Sequence, residues 1–259
     1  MKKIVLYLIT LFTPFCVLAA PNDNWQTTKS THFIVYYKNA PEDFLEQVKE
    51  RSENYYDKIA DDLGFRRYNF WLWDNRAKIY IYDNVGDYQA ATGQPSWSAG
   101  CAIVREKVIH TFPFAKGFFN TILPHELGHI IFREFVGFDN FAVPLWLEEG
   151  VASYQENIRF FTANKLVQDA IGKGNFIGIE GLASFNPQLT QDSTSVNLFY
   201  AEAVSIVDFL IKDFGKDNFV LFCQNLRDKG DLERAIASSY PFANTSELSL
   251  AWQKHLKNE

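Results

Sequence analysis

Thr121-Ile122-Leu123-Pro124-His125-Glu126-Leu127-Gly128-His129-Ile130-Ile131-Phe132-Arg133-Glu134-Phe135-Val136 is the stretch on which the reading of this chain turns. Its apolar residues Ile122, Leu123, Leu127, Ile130, Ile131 and Phe135 recur at helical spacing, and Gly137 supplies the stop. Proline fits such a helix only at its start, where the missing N–H leaves no bond unmade; Thr121 is therefore expected as the N-cap, with Pro124 in the first turn. Inside the helix, His125 and His129 stand four residues apart, on one face and one turn from each other, where both imidazoles can share a tetrahedral metal ion. Glu126 is one residue further round, so its carboxylate points beside such an ion, within reach of a water there. Ionisable groups set among Ile and Leu are expensive to bury without a partner, and a divalent cation is a natural one.

Two histidines leave a catalytic metal incomplete, since zinc in such sites takes three protein ligands and a water. Glu134 lies five positions after His129 and is turned away from the pair. Glu148 and Glu149 sit beyond a turn, on a second helix expected to begin at Pro144 and to run from Trp146 to Glu156, and that helix can fold back.

Outward from these two helices, the chain divides by period. Towards the N-terminus, Thr31 to Tyr37 reads as a strand, Pro41 to Leu63 as an amphipathic helix closed by Gly64, and Ala77 to Tyr82 as an alternating strand. Val85 to Thr92 reads as a short helix ended by Gly93, and Ala102 to Thr111 as one or two strands. Towards the C-terminus, the pattern is helical from Phe160 almost to the end, most clearly at Ser195 to Phe214, Phe219 to Lys229 and Leu248 to Leu256. No repeat or Pro/Gly-rich linker interrupts it. The expectation is an α+β protein with one domain over residues 21–259: a small mixed sheet with helices over about 21–136, including the His125–His129 helix, then an all-helical part over about 137–259.

The sequence resembles the peptidase MA-like family of gluzincin zinc metallopeptidases. The likeness is carried by Leu123-Pro124-His125-Glu126-Leu127-Gly128-His129 and by Pro144-Leu145-Trp146-Leu147-Glu148-Glu149-Gly150-Val151-Ala152-Ser153-Tyr154, which is similar to that family's WLxEGxAxY segment. It extends weakly to His32-Phe33, to Gly93-Gln94-Pro95-Ser96-Trp97 before Gly100, and to Trp252. The resemblance implies His125, His129 and Glu149 as zinc ligands, Glu126 as the base, and a peptide or protein as substrate. It also implies a tyrosine on a helix behind the metal as the donor to a developing oxyanion; Tyr200 is the first candidate, with Tyr154 and His110 as rivals. By analogy to the fold, the substrate lies extended along a strand edge, for which Ala102 to His110 is the candidate. Two positions depart from the family pattern. Pro124 stands where small residues are usual, and Ser153 stands one turn after Glu149, where some gluzincins carry an acidic group that orients a ligand histidine.

Composition narrows the alternatives. With 47% hydrophobic and 22% charged residues the chain is globular, and 239 of its 259 residues remain after a leader of 20. That leader is expected because Lys2 and Lys3 precede an uncharged run from Ile4 to Ala20 that ends in Val17-Leu18-Ala19-Ala20. Residues 1–20 thus read as a signal peptide, and the run, interrupted by Pro14, falls short of the roughly 20 residues a membrane span needs. Export to the periplasm or the outside follows, with no further span. Without the two leader lysines, 23 Lys and Arg face 31 Asp and Glu, a balance of -8 that makes nucleic acid an unsuitable partner. Cys101 and Cys223 remain, either as a disulfide closing a long loop or as two buried thiols. Two other function classes stay open: a metal-binding module without catalysis, and a polysaccharide-binding protein that uses Trp71, Trp73 and Trp97.

Overall fold

The computed structural model describes residues 24–66, 71–72, 75–96, 98–187 and 189–258, and at 157–161 the backbone alone. The expected leader at 1–20, Trp73 and Trp97 lie outside the described residues. The architecture is α+β, a small mixed sheet followed by many helices. The chain separates into two compact units, Met1–Tyr56 with Asn69–Glu126, and Asp57–Tyr68 with Leu127–Glu259. The sequence suggests one domain whose character changes near Val136. The contacts form two units, whose boundary falls inside the helix that carries the two histidines.

The first unit is built on five strands: β1 (Gln26–Lys29), β2 (Phe33–Tyr37), β3 (Ala77–Ile81), β4 (Gly100–Ile103) and β5 (Val108–Thr111), in the order β1-β2-β3-β5-β4. β2, β3 and β5 run parallel, while β1 and β4 pair antiparallel at the two edges. Phe33, Val35, Ala77, Ile79, Ile81 and Ile109 are buried on one face. On the other, Tyr36, Tyr80, His110 and Cys101 form one cross-strand row, with Tyr36 stacked on Tyr80 at 4.5 Å. Alternation dictates this two-faced pattern. Helix α1 (Glu42–Asp62) connects β2 to β3, as a parallel pair requires. Its Glu53 accepts from the His32 backbone N–H at 2.8 Å and pairs with the His32 ring at 2.6 Å, tying the strand entry to the helix. Helix α2 (Val85–Thr92) is capped by the Asn84 side chain and ended by Gly93 in the left-handed region.

Two expectations are refined here. The stretch Ala102 to Thr111 resolves into β4 and β5 joined by a 3-10 turn at Val104–Glu106 and by Lys107 at φ 55. Strand β1 was not expected, because Gln-Thr-Thr-Lys is short and polar; an outer strand needs only backbone partners and carries no apolar alternation.

The second unit is helical: most of α3 (Leu123–Val136), then α4 (Leu145–Tyr154), α5 (Asn157–Lys173), α6 (Gly178–Ser184), α7 (Ser193–Phe214), α8 (Lys216–Lys229), α9 (Leu232–Ser239) and α10 (Thr245–Asn258). By length and composition α7 could cross a bilayer, yet most of it is buried as the centre of this unit. Trp252 of α10 is buried and donates from Nε1 to Ser205 Oγ at 3.0 Å. No disulfide joins Cys101 to Cys223, so the disulfide alternative is set aside.

Thr121 does not cap α3. A π-helical turn at Phe118–Ile122 runs directly into it after Gly117, whose φ of 77 only glycine adopts without strain. Pro124 is then the second residue of the α-helix, inside the first turn as expected. A proline ring there crowds the carbonyl four residues back, and that residue, Asn120, lies within the π-helical turn.

Candidate metal centre

His125, Glu126 and His129 lie on the single continuous helix α3, so their relation is set by helix geometry alone. They are 1, 2 and 0% exposed. The apolar residues that give α3 its helical period also bury these polar ones, because the helix is enclosed on more than one side. Leu123, Leu127, Ile130, Ile131 and Phe132 are all fully buried.

The third group arrives on α4. Pro144 precedes the helix in extended conformation, its missing N–H harmless at that position. Two glycines let α4 come close to its neighbours in the helical unit. A Cβ on Gly128 of α3 would stand 3.0 Å from the Ala152 Cα, and a Cβ on Gly150 would stand 2.5 Å from the Ala203 carbonyl oxygen on α7. Neither glycine has a positive φ; both are needed for space. Glu149, 3% exposed, is thereby held against His129, with 3.8 Å between its Oε2 and His129 Nε2.

One ligand-type atom each from His125, His129 and Glu149 lies within 4.8 Å of the others. The 3.8 Å separation is too long for a hydrogen bond, which ends near 3.2 Å. It is close to the roughly 3.3–3.6 Å between two ligands of one ion with bonds of about 2.0–2.2 Å. Two carboxylates, Glu126 and Glu149, are buried with two imidazoles, and a dication balances their formal charge. The donor set of two nitrogens and one oxygen suits a borderline ion such as zinc. These residues therefore fit a metal.

Glu148, adjacent to Glu149 in sequence, faces Arg133 and the Nδ1 side of the His129 ring. Arg133 Nε donates to its Oε1 at 2.9 Å and Nη2 to its Oε2, while Arg133 Nη1 donates to the Asn140 carbonyl at 2.9 Å. Sequence reasoning did not single out Arg133, although its place one turn after His129 on the same face was a usable signal.

The three oxyanion-donor candidates fall in different settings. Tyr200 is buried on α7, its ring edge-on to Phe199 at 5.4 Å, and it lines a cavity with Thr162, Ala163, Leu166, Asn197 and Ala201. That lining contains none of the metal-type ligands. Tyr154, at the end of α4, has its hydroxyl pushed well above the ordinary range by burial and then by the carboxylates of Asp208 and Asp62. His110 on β5 sits 3.1 Å from the Tyr82 hydroxyl through Nδ1, and burial lowers its pKa to about 4, so the ring is neutral near pH 7. Among the described residues its buried Nε2 makes no hydrogen bond. The expected substrate edge, Ala102 to His110, takes in the end of the outer strand β4 and most of the interior strand β5; of these two, β4 is the one at an edge of the sheet. Trp71 is 2% exposed, with its ring against Phe33 and Tyr56, which removes it from any sugar-binding surface.

Comparison with known proteins adds a family. No curated protein matches the chain. A family model described as the Peptidase MA superfamily matches residues 72–258, from just before β3 to the end of α10, and so takes in both histidines and the whole of α4. With the greater part of its length matched, the chain belongs to the peptidase MA superfamily.

Proposed function

We propose that the protein is an exported zinc-dependent peptidase in which His125, His129 and Glu149 hold Zn2+ and Glu126 is the general base. What carries the reading is the buried convergence of two imidazoles and a carboxylate, with a second buried carboxylate on the same helix, in a member of a peptidase superfamily. Zinc, when bound, supplies the Lewis acidity that polarises a scissile carbonyl and brings the pKa of a water towards 7. Glu126 takes the proton of the attacking water and delivers it to the leaving amine, acting first as base and then as acid. Its burial excludes bulk water, which strengthens its electrostatic interaction with the reacting groups.

The peptide lies extended along the free edge of β4 and is held through its main chain, an arrangement that orients the scissile bond without naming preferred side chains. Tyr200 is the proposed donor to the oxyanion, with Tyr154 and His110 as alternatives. A neutral His110 whose Nδ1 accepts from the Tyr82 hydroxyl carries its proton on Nε2 and can donate from there. Export to the periplasm or beyond rests on the sequence features of Lys2 to Ala20.

The test is digestion of a peptide library by the zinc-loaded wild type and by Glu126→Gln, with zinc content measured on both. Cleavage is expected to fall by about 10²–10⁴-fold in the variant while one equivalent of zinc is retained. Equal, negligible cleavage by both proteins would replace the peptidase with a metal-binding module. Absence of bound zinc from the wild type would remove the metal reading itself.

A further inference from the structure

We infer that Arg133 and Glu148 form a positioning pair that orients the His129 ring, an inference that rests on the metal-site reading above. The His129 ring presents its two nitrogens to two different carboxylates: Nε2 stands 3.8 Å from Glu149 Oε2, and Nδ1 stands 3.8 Å from Glu148 Oε1. In a metal-ligating histidine one nitrogen faces the ion, and a carboxylate or carbonyl facing the other fixes the tautomer and the ring angle. Glu148 occupies that second place. Its Oε1 is about 1 Å beyond charge-assisted hydrogen-bond length from Nδ1, so it faces that nitrogen as the charge beside it and not as a hydrogen-bond partner.

Glu148 is held there as a brace and not as a spare ligand. Both of its oxygens are engaged by the Arg133 fork. Arg133 follows His129 by one turn on α3, so the fork runs from the helix of one ligand to the helix of the other. The far end of the brace is anchored too. Arg133 Nη1 donates to the Asn140 carbonyl, and Asn140 Nδ2 donates to the Val136 and Leu226 carbonyls at 3.1 Å each. Asn140 Oδ1 accepts from the Ala142 N–H at 3.0 Å. Ser153, one turn after Glu149, offers no second brace: its buried Oγ makes no hydrogen bond among the described residues. A buried ion pair of this kind is a poor source of stability, so orientation is the better account of it.

Two variants test this in the full-length protein: Glu148→Gln, which keeps the shape and removes the charge, and the double variant Arg133→Met with Glu148→Met, which replaces the pair with apolar groups. Zn2+ and Co2+ affinities are measured by competition with a chelator, together with the visible ligand-field bands of the Co2+ form and the melting temperature of the metal-free form. Both variants are expected to bind either ion about 10–100-fold more weakly than wild type. The Co2+ bands are expected to shift, and the double variant is expected to melt no lower than wild type without metal. Wild-type affinity and an unchanged Co2+ spectrum in either variant would overturn the inference while leaving the metal reading intact. If the wild type bound neither ion, or Glu149→Gln bound both as tightly as wild type, the metal reading would fall and the inference with it.

Discussion

Adjacent residues on a helix point about 100° apart, and Glu148 and Glu149 put that geometry to two uses. Glu149 Oε2 faces His129 Nε2, while Glu148 is forked by Arg133. Replacing Glu149 with Ala is therefore expected to abolish zinc retention through gel filtration. Glu148→Ala is expected to leave most of the bound zinc in place, because a 10–100-fold loss from a tight site still leaves it occupied at working protein concentrations. Zinc per mole of protein, measured on both variants, checks this; the reverse order would mean that α4 has been read in the wrong rotation. The histidine pair was legible in the sequence because its spacing is a local, helical property. The choice between Glu148 and Glu149 was not legible from spacing and came from resemblance, since it depends on how α4 turns once Gly128 and Gly150 have let it approach its neighbours. The oxyanion donor was legible least. A tyrosine's role is decided by what lies across a cavity from it, and Tyr200 proves to line one with residues of α5 and α7.

Among the elements, α4 decides the site, and its two glycine contacts are where its position is most sensitive. On helix propensity alone, Ala in place of Gly150 should stabilise an internal helical position by up to about 1 kcal/mol. The new Cβ would instead meet the Ala203 carbonyl oxygen at 2.5 Å, its carbon at 2.8 Å and Val207 Cγ2 at 2.9 Å, and two of these three are backbone atoms that cannot step aside. Overpacking of this kind costs about 1–3 kcal/mol, occasionally more, so the steric effect wins. Gly150→Ala is expected to lower stability by about that amount and, by displacing α4, to weaken zinc binding as well. Urea unfolding of the metal-free protein together with a zinc titration checks both, and a stabilised variant with unchanged zinc affinity would contradict the packing described. Gly172, on α5 with open space around it, is the control at which Ala should help. Helices were legible wherever an apolar period ran for three turns or more, as in α1, α3 and α7. Strand β1 escaped because four polar residues at a sheet edge carry no period, and the π turn before α3 escaped because a single turn is too short to show a period of its own.

For the molecule as a whole, the half-buried Glu53 and the fully buried Glu202 respond to pH in opposite directions. In the sheet-bearing unit, burial pushes the Glu53 carboxyl up, but the His32 backbone N–H and the His32 ring outweigh it, so its pKa lies below the usual 4.5. Its contribution to stability is present above 4.5 and lost as pH falls through the lower folded value. In the helical unit, Glu202 is fully buried on α7 and accepts from the backbone N–H groups of Ile177 and Gly178 at 2.7 and 2.8 Å, where α6 begins. Burial dominates there and raises its pKa to about 7 in spite of those bonds. The folded protein therefore holds this proton more tightly than the unfolded chain does. The associated stability is fully present below pH 4.5 and lost as pH rises to 7, a change of about 3 kcal/mol over the whole interval. The Glu53 slope lies around and below pH 4.5 and the Glu202 slope between 4.5 and 7, so the two differ in sign and occupy neighbouring windows. Glu202→Gln removes the titration while keeping the shape. The expected result is that the stability of wild type relative to Glu202→Gln, measured by urea unfolding, declines steadily from pH 4.5 to 7.5 and is flat above that. A difference that stayed constant over this range would mean that Glu202 titrates in the folded protein as it does in the open chain, and that the start of α6 is held by something other than a buried, proton-retaining carboxyl.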